Sequence, residues 1–251
     1  MKLDKLAAFL DGTLKISDFA ADSSMNGLQV ESCSDVKRIA TAVDVSEESI
    51  RKAAALRADL LVVHHGLFWG DQAPITGVMA RRVGLLLSKG VSLYAAHLPL
   101  DCHPEIGNNA QLAGLLGLER RQPFGRYHGM IIGICGVPPR PIAPAGIARK
   151  LKRSLGADST IFLFGPNRIR KLGIVSGGGA SLALDAASAG CDTLLTGETS
   201  HSAYHAAREA RLNLVCAGHY ATETVGVRAL GALVEAELGL PAKFIDLPTG
   251  L

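Results

Sequence analysis

The sequence predicts an α/β protein with mostly parallel sheets flanked by helices, in two halves related by internal duplication. Along the first half, short apolar or β-branched runs alternate with amphipathic stretches, an order typical of parallel strands joined by helices. The second half repeats that pattern. With 48% hydrophobic and 20% charged residues among 251, the chain can bury a sizeable core, which excludes a disordered protein.

Three strand-and-helix pairs are predicted in the first half. Ser46 followed by Glu47 and Glu48 is typical of a helix N-cap with acidic residues in the first turn. Gly90 after Lys89 is typical of the end of a helix. The predicted strands are 39–43, 60–63 and 91–95, and the predicted helices are 46–56, 78–88 and 109–116.

The middle of the chain has a different pattern. Residues 130–137 are predicted as a strand, and four prolines then precede a helix predicted over 145–154. We expect a domain boundary near residue 125, which divides the chain into a first half, 1–125, and a second half, 126–251.

The duplication is the most informative pattern. After alignment, His65 falls on Glu198, and His97 falls on His219, so that a His-x-x-x-Asp motif matches a His-x-x-x-Glu motif. The matched segments are 39–44 with 172–177, 58–65 with 191–198 and, after a shorter insert, 94–101 with 216–223. We therefore predict a duplicated strand–helix unit.

Composition argues against several classes of protein. The formal net charge is only +3 and the basic residues are scattered in pairs, which disfavours a nucleic-acid-binding protein. Five cysteines without a CxxC pair indicate free buried thiols. No apolar run approaches the roughly 20 residues that span a bilayer, and the start of the chain lacks a signal-peptide pattern. We expect a soluble, cytoplasmic protein without a membrane partner.

Metal-ligating side chains follow the predicted strands. His64, His65, Asp101, His219 and Glu223 all lie at or shortly after strand ends, where parallel sheets form their ligand crevice. Adjacent histidines on a strand point to opposite sides, so they suit two ions better than one. Any one of these histidines is more commonly a polar strand tip, but the combination predicts two divalent transition-metal ions, zinc, manganese, iron, cobalt or nickel.

Two further groups could carry protons. His97 could be a ligand, an outer hydrogen-bond donor or a proton carrier, and we favour the outer position. Glu198 is the other candidate for moving a proton. His201 and His205, four residues apart on a predicted helix, could chelate an ion or lie on the helix surface.

Other residues are candidates for substrate binding. The turn containing Ser176, Gly177 and Gly178 follows a strand and opens a helix, so it is either an anion-binding turn or a plain connection. Trp69, beside the histidine pair, is either the wall of a ligand pocket or a packed core side chain. Asn26 is a turn residue or a donor to the pocket.

The motifs MNGLQVE, VHHGLFWG, HLPLDCHPEIGNNAQLA, TGETSH and GHYATET together resemble the Nif-three-like dinuclear metal-centre proteins, which are labelled GTP cyclohydrolase 1 type 2 homologues. The resemblance extends from about Met25 to Gly250 and matches the short form of that family. It implies two interlinked domains, a dinuclear site at the five ligands above, and a toroidal homohexamer with its metal sites facing the interior. It also implies that His97 and His201 line the same pocket.

Three functions are compatible with these patterns. We favour a metal-dependent hydrolase that acts on a phosphorylated or heterocyclic small molecule such as a nucleotide. The alternative is a non-catalytic, metal-loaded ring that serves as a scaffold or metallochaperone, and a nucleic-acid-processing ring is a third. The cyclohydrolase label carries little weight, because the motifs of established cyclohydrolases are absent from the sequence.

Overall fold

The computed structural model describes residues 1–71 and 73–251. These residues form two mixed or parallel sheets flanked by helices, as predicted. The helices are α1 (Leu3–Leu14), α2 (Glu47–Ala55), α3 (Gly77–Lys89), α4 (Leu98–Cys102), α5 (Asn108–Leu116), α6 (Pro144–Leu155), α7 (Ala183–Ser188), α8 (His201–Glu209) and α9 (His219–Leu238). The strands are β1 (Gly27–Val30), β2 (Ile39–Asp44), β3 (Leu60–His65), β4 (Ser92–Ala95), β5 (Glu119–Tyr127), β6 (Met130–Val137), β7 (Thr160–Phe162), β8 (Leu172–Ile174), β9 (Thr193–Thr196), β10 (Asn213–Cys216) and β11 (Ala242–Phe244).

The chain divides into two compact units. The first unit contains Met1–Leu100 and Gly226–Leu247, and the second contains Asp101–Val225 and Pro248–Leu251. The sequence analysis placed a single division near residue 125. The segment near the C-terminus returns to the first unit because β11 pairs in parallel with β2.

The sheet of the first unit has the order β1-β4-β3-β2-β11. All pairs are parallel except β1 with β4. Leu61 and Val63 of β3 are fully buried, because α2 and α3 supply apolar side chains to the same core. The predicted helix signals are confirmed: Ser46 and Ser49 form a capping box on α2, and Gly90 ends α3 with φ of 67°.

The sheet of the second unit has the order β5-β6-β8-β9-β10-β7. The pairs β8–β9 and β9–β10 are parallel, whereas β5, β6 and β7 are antiparallel to their neighbours. The sheet therefore has a parallel centre with antiparallel edges. Helix α6 begins with Pro144 in its first turn, where the missing N–H has no helical partner to lose.

The duplication is visible in the strand ladders. Ile39 pairs with Leu60 and Leu172 pairs with Thr193, at the offset that the sequence alignment used. The strands β2-β3-β4 and β8-β9-β10 also have the same order and direction.

One step of that alignment differs in the structure. Val63 pairs with Ala95, and its counterpart Thr196 pairs with Cys216. The ladders therefore place Cys216 opposite the position of Ala95, whereas the sequence alignment had placed it against the preceding residue. As a result, His219 lies one residue further past its strand than His97 does, after Gly218, which has φ of 90°.

The cysteines agree only in part with the predicted buried thiols. All five lie outside disulfides, and Cys135, Cys191 and Cys216 are buried, whereas Cys33 and Cys102 are half-buried. No helix among residues 1–71 and 73–251 is long and apolar enough to cross a bilayer.

Candidate metal centre

Three histidines form one group in the first unit. His64 and His65 end β3, and His97 follows β4 by two residues. Their candidate ligand nitrogens all lie within 4.8 Å of one another, and His64 is fully buried. The parallel pairing of β3 with β4 brings these strand ends together, as the sequence predicted. The group could hold a metal ion.

His65 and His97 each have a carboxylate within hydrogen-bond distance of Nδ1. Nδ1 of His65 lies 2.8 Å from Oδ1 of Asp44, which ends the neighbouring strand β2. Nδ1 of His97 lies 2.9 Å from Oδ1 of Asp22. In both rings Nδ1 is engaged by a carboxylate. Carboxylate–histidine pairs of this kind orient metal ligands.

Asp22 is the more constrained of these two carboxylates. Its side chain is 1% exposed, and its oxygens accept hydrogen bonds from the backbone N–H groups of Ser24 at 3.1 Å and Leu98 at 3.1 Å. Burial raises the pKa of Asp22, but the hydrogen bond from His97 and the further donors outweigh it and hold the pKa below its ordinary value.

Asn26 connects Asp22 to His97. Its side-chain Nδ2 donates to Asp22 Oδ2 at 2.9 Å, and its Oδ1 accepts from the backbone N–H of His97 at 2.7 Å. The side-chain amide of Asn26 therefore supports the histidine group, and its role as a donor to a pocket stays a prediction.

Trp69 lies beside the same group. Its ring centroid is 4.9 Å from that of His97 and 6.0 Å from that of His65, and the residue is 38% exposed. Its indole N–H donates to the carbonyl of Gly66 at 2.9 Å, which fixes the ring. The side chain of Trp69 is therefore partly exposed and lies next to the rings of His65 and His97. Its role as a pocket wall stays a prediction.

The second unit carries a different group around the start of α9. Nε2 of His219 lies 3.1 Å from Oε1 of Glu223, one helical turn further on, and Nδ1 lies 3.1 Å from Oε1 of Glu198. The hydrogen bond to Glu223 is the largest influence and, with that to Glu198, raises the pKa of His219 to about 9 in spite of its partial burial. Glu223 is 2% exposed, whereas the side chain of Glu198 is 54% exposed.

Asp101 lies in a buried hydrogen-bond network of the second unit. Its Oδ1 accepts from the hydroxyl of Ser176 at 2.8 Å and from Nδ2 of Asn108 at 2.8 Å. The backbone N–H of Ser176 donates to Asn109 Oδ1 at 2.8 Å, which also anchors the turn after β8. Asn108 and Asn109 were not among the predicted site residues.

The turn after β8 packs tightly against the second group. Gly177 has φ of 58°, and a Cβ there would overlap Oε1 of Glu223 and lie 3.0 Å from Nε2 of His219. Its N–H donates to Oγ1 of Thr222 at 3.0 Å. The N–H groups of Ser176 and Gly177 are thus engaged within the unit, and anion binding by Ser176, Gly177 and Gly178 stays a prediction.

His201 is the first residue of α8, and its ring lies 4.9 Å from that of His205. Both residues are exposed. Their exposure fits a position on the surface of α8, one of the two alternatives for this pair, while the pocket role of His201 stays a prediction.

Comparison with known sequences identifies the family. A sequence model of the Duf34/NIF3 family (NGG1p interacting factor 3) matches residues 1–249. The chain belongs to this family. Curated relatives named GTP cyclohydrolase 1 type 2 homolog include proteins of Pyrococcus horikoshii, 46% identical with 100% of both chains covered, and Deinococcus radiodurans, 44% identical with 99% of this chain and 94% of the relative covered.

Solved structures of the NIF3 type share the fold. A Thermus thermophilus protein superposes with a TM-score of 0.92 at 43% identity, with both chains fully covered. Protein ybgI, described as of unknown function, also gives 0.92, at 36% identity and full coverage of both chains. Reduced HcgD from Methanocaldococcus jannaschii gives 0.85 at 27% identity over 98% of both chains.

The carboxylates of Asp44 and Asp22 were not among the predicted site residues. Asp44 had a usable signal, because it directly follows the predicted strand 39–43, which precedes the strand that carries the histidines. Asp22 had none, because it lies 75 residues from His97 in the sequence. It reaches His97 because β1 runs antiparallel to β4, which brings the segment before β1 to the strand ends.

Proposed function

We propose that this NIF3-family protein is a dinuclear metal-dependent hydrolase that acts on a phosphorylated or heterocyclic small molecule such as a nucleotide. The proposal rests on one observation above all, the gathering of histidine nitrogens within 4.8 Å at the end of β3 and β4. The proposed metal ligands are His64, His65, Asp101, His219 and Glu223.

The side chains present fit such ions chemically. Imidazole nitrogens and carboxylate oxygens are the donors that zinc, manganese, iron, cobalt and nickel accept. The backing of His65 by Asp44 and of His219 by Glu198 supports the assignment, because metal-ligating histidines usually donate their other ring nitrogen to a carboxylate. Five ligands shared by two ions would leave open positions, as a catalytic site requires.

A bound pair of ions would supply electrophilic activation of the scissile bond and of a water molecule. The protein residues have the other tasks. His97 or Glu198 would accept and return a proton, since each has a titratable group beside the proposed ligands. The ring of Trp69 would stack on a heterocycle, and Ser176, Gly177, Gly178 and His201 would contact the rest of the substrate.

Elemental analysis of protein purified without chelator or nickel resin, followed by a hydrolase screen of the reconstituted protein, tests the proposal. We expect two metal ions per chain and turnover of a phosphoester or a nucleotide. Asp101→Asn and Glu223→Gln should abolish turnover with the fold intact, whereas the matched surface variant Asp35→Asn should not. Full activity of either site variant after metal removal would contradict the mechanism, and two ions without turnover would favour a scaffold or metallochaperone.

We also propose a homohexameric ring, as the family resemblance implies. Analytical ultracentrifugation of the intact protein would give six times the chain mass of 26.3 kDa if this is right, and a monomeric or dimeric mass would contradict it.

A further inference from the structure

The pair formed by Asp22 and His97 differs in burial from two other carboxylate–histidine pairs, Asp44 with His65 and Glu198 with His219. The side chains of Asp44 and Glu198 are 45% and 54% exposed, whereas that of Asp22 is 1% exposed. Burying a carboxylate is costly unless its oxygens are fully hydrogen-bonded. The environment of Asp22 must therefore supply donors, and these donors restrict what Asp22 can do.

Both oxygens of Asp22 accept from groups that can only donate. Oδ1 accepts from the N–H of Ser24 at 3.1 Å, and Oδ2 accepts from the N–H of Leu98 at 3.1 Å and from Nδ2 of Asn26 at 2.9 Å. A carboxylate in such surroundings acts as an acceptor alone. The contact of 2.9 Å with Nδ1 of His97 is then a hydrogen bond donated by the ring, so the proton of neutral His97 lies on Nδ1.

The segment that carries Asp22 is held in place by backbone hydrogen bonds to the loop that follows His65. The N–H of Met25 donates to the carbonyl of Phe68 at 3.0 Å, and the N–H of Gly70 donates to the carbonyl of Ser23 at 2.7 Å. Both partners lie in the loop that follows His65 and contains Trp69, whose ring packs 4.9 Å from His97. One loop thus restrains both partners, through backbone hydrogen bonds to the segment of Asp22 and through the ring of Trp69 beside His97.

We propose that Asp22 is a positioning residue that holds His97 in the tautomer with the proton on Nδ1 and the lone pair on Nε2, the nitrogen that completes the group with His64 and His65. The opposite tautomer would present an N–H to that group and could neither bind an ion nor accept a proton there. The tautomer of His97 is independent of the proposed function. Only the use of the Nε2 lone pair, to bind an ion or accept a proton, rests on that function.

The tautomer can be measured in the protein without metal or substrate. In metal-stripped protein labelled with ¹⁵N-histidine, long-range ¹H–¹⁵N correlation spectra at a pH where imidazole is neutral distinguish the two nitrogens, and His97→Gln assigns the signals. We expect Nδ1 of His97 to be protonated and Nε2 to be unprotonated in the wild type. In Asp22→Asn, whose amide cannot accept at both positions, the Nε2 signal should shift toward the protonated range.

Asp44→Asn is the matched control, because it should change the signals of His65 and leave those of His97 in place. A wild-type His97 protonated on Nε2 would overturn the proposal by itself, even if Asp22→Asn did not fold. An unchanged His97 tautomer in a folded Asp22→Asn variant would also overturn it. Failure of the hydrolase proposal would appear instead in metal content and turnover, with the tautomer unaffected.

Discussion

In each unit the candidate site residues lie near the ends of three parallel strands in the same order, but the residue types differ between the two units. In the first unit, three histidines meet at the ends of β3 and β4, and carboxylates support them from behind. In the second, a single histidine lies between two glutamates at the start of α9. His65 and Glu198 occupy the same position in the repeat, yet one is a candidate ligand and the other an outer carboxylate.

The duplicated strands therefore determine where the site residues lie, whereas the residue types at those positions differ between the two copies. The shared ladders give each unit a strand end at which side chains meet. The first unit gathers three imidazoles, whereas the second holds one imidazole between two carboxylates, which raise its pKa to about 9. The two groups should therefore respond differently to mutation and to pH.

Gly177→Ala should give the largest effect, because it disturbs the second group directly. The new Cβ would overlap the carboxylate of Glu223 and would require φ of 58° of an alanine. We expect the free energy of unfolding in urea to fall by more than about 2 kcal/mol.

Gly178→Ala is the control, since its Cβ would lie 3.8 Å from its nearest neighbour and its φ is −81°. Gly66→Ala is the corresponding variant in the first unit. Its Cβ would meet the side chains of Gln29 and Ala95 instead of the histidines. Equal stability of Gly177→Ala and Gly178→Ala would show that the second group is not tightly packed.

The pH dependence of the metal-free protein should distinguish the two groups next. The carboxylates of Glu223 and Glu198 raise the pKa of His219 from its ordinary 6.5 to about 9 in the folded protein. Its ion pairs therefore stabilise the fold fully below pH 6.5 and lose that contribution as the pH rises through 9. The free energy of unfolding should fall by about 2–3 kcal/mol over this range. In His219→Gln this fall should be absent, while His205→Gln on the surface of α8 should keep it. A pH profile unchanged by His219→Gln would contradict the raised pKa.

Removing the exposed outer carboxylates should have a smaller effect. Asp44→Asn and Glu198→Gln each take away the charged acceptor on one Nδ1, and we expect each to weaken metal affinity about tenfold, the low end for such partners. Competition with a chromophoric chelator measures this, with Asp35→Asn as the control. Affinity as high as that of the wild type in both variants would mean that these carboxylates do not support metal ligands.

The smallest effect tests the duplication itself. Oδ2 of Asp59 accepts from the N–H groups of Lys37 and Arg38, and Oδ2 of Asp192 accepts in the same way from that of Arg170. Asp59→Ala and Asp192→Ala should each lower the free energy of unfolding by about 1 kcal/mol. Asn variants, which keep an acceptor, should lose less. A loss at one position alone would show that the copies no longer use this hydrogen bond equally.

The sequence was sufficient to predict the elements where local signals agreed. Ser46 and Gly90 marked helix ends that the structure confirms, and the repeat gave the ladder offset of β2 with β3 and of β8 with β9. It could not predict the antiparallel pairing of β7 with β10, or the return of β11 to β2, because these strand partners lie far apart in the chain and leave no local signal. The antiparallel pair β5–β6 is a local hairpin, and its first strand was not among the predicted elements.

For the candidate site, the sequence by itself determined which residue types follow the predicted strands, since residue type and strand periodicity are local properties, and the five metal ligands stay a prediction. Only the tertiary structure decided which groups support them. Asp22 reaches His97 through an antiparallel strand pair, and Gly177 must lack a side chain because of a carboxylate 46 residues away in the chain. Such contacts depend on how the chain folds back on itself, and the order of the residues alone does not encode them locally.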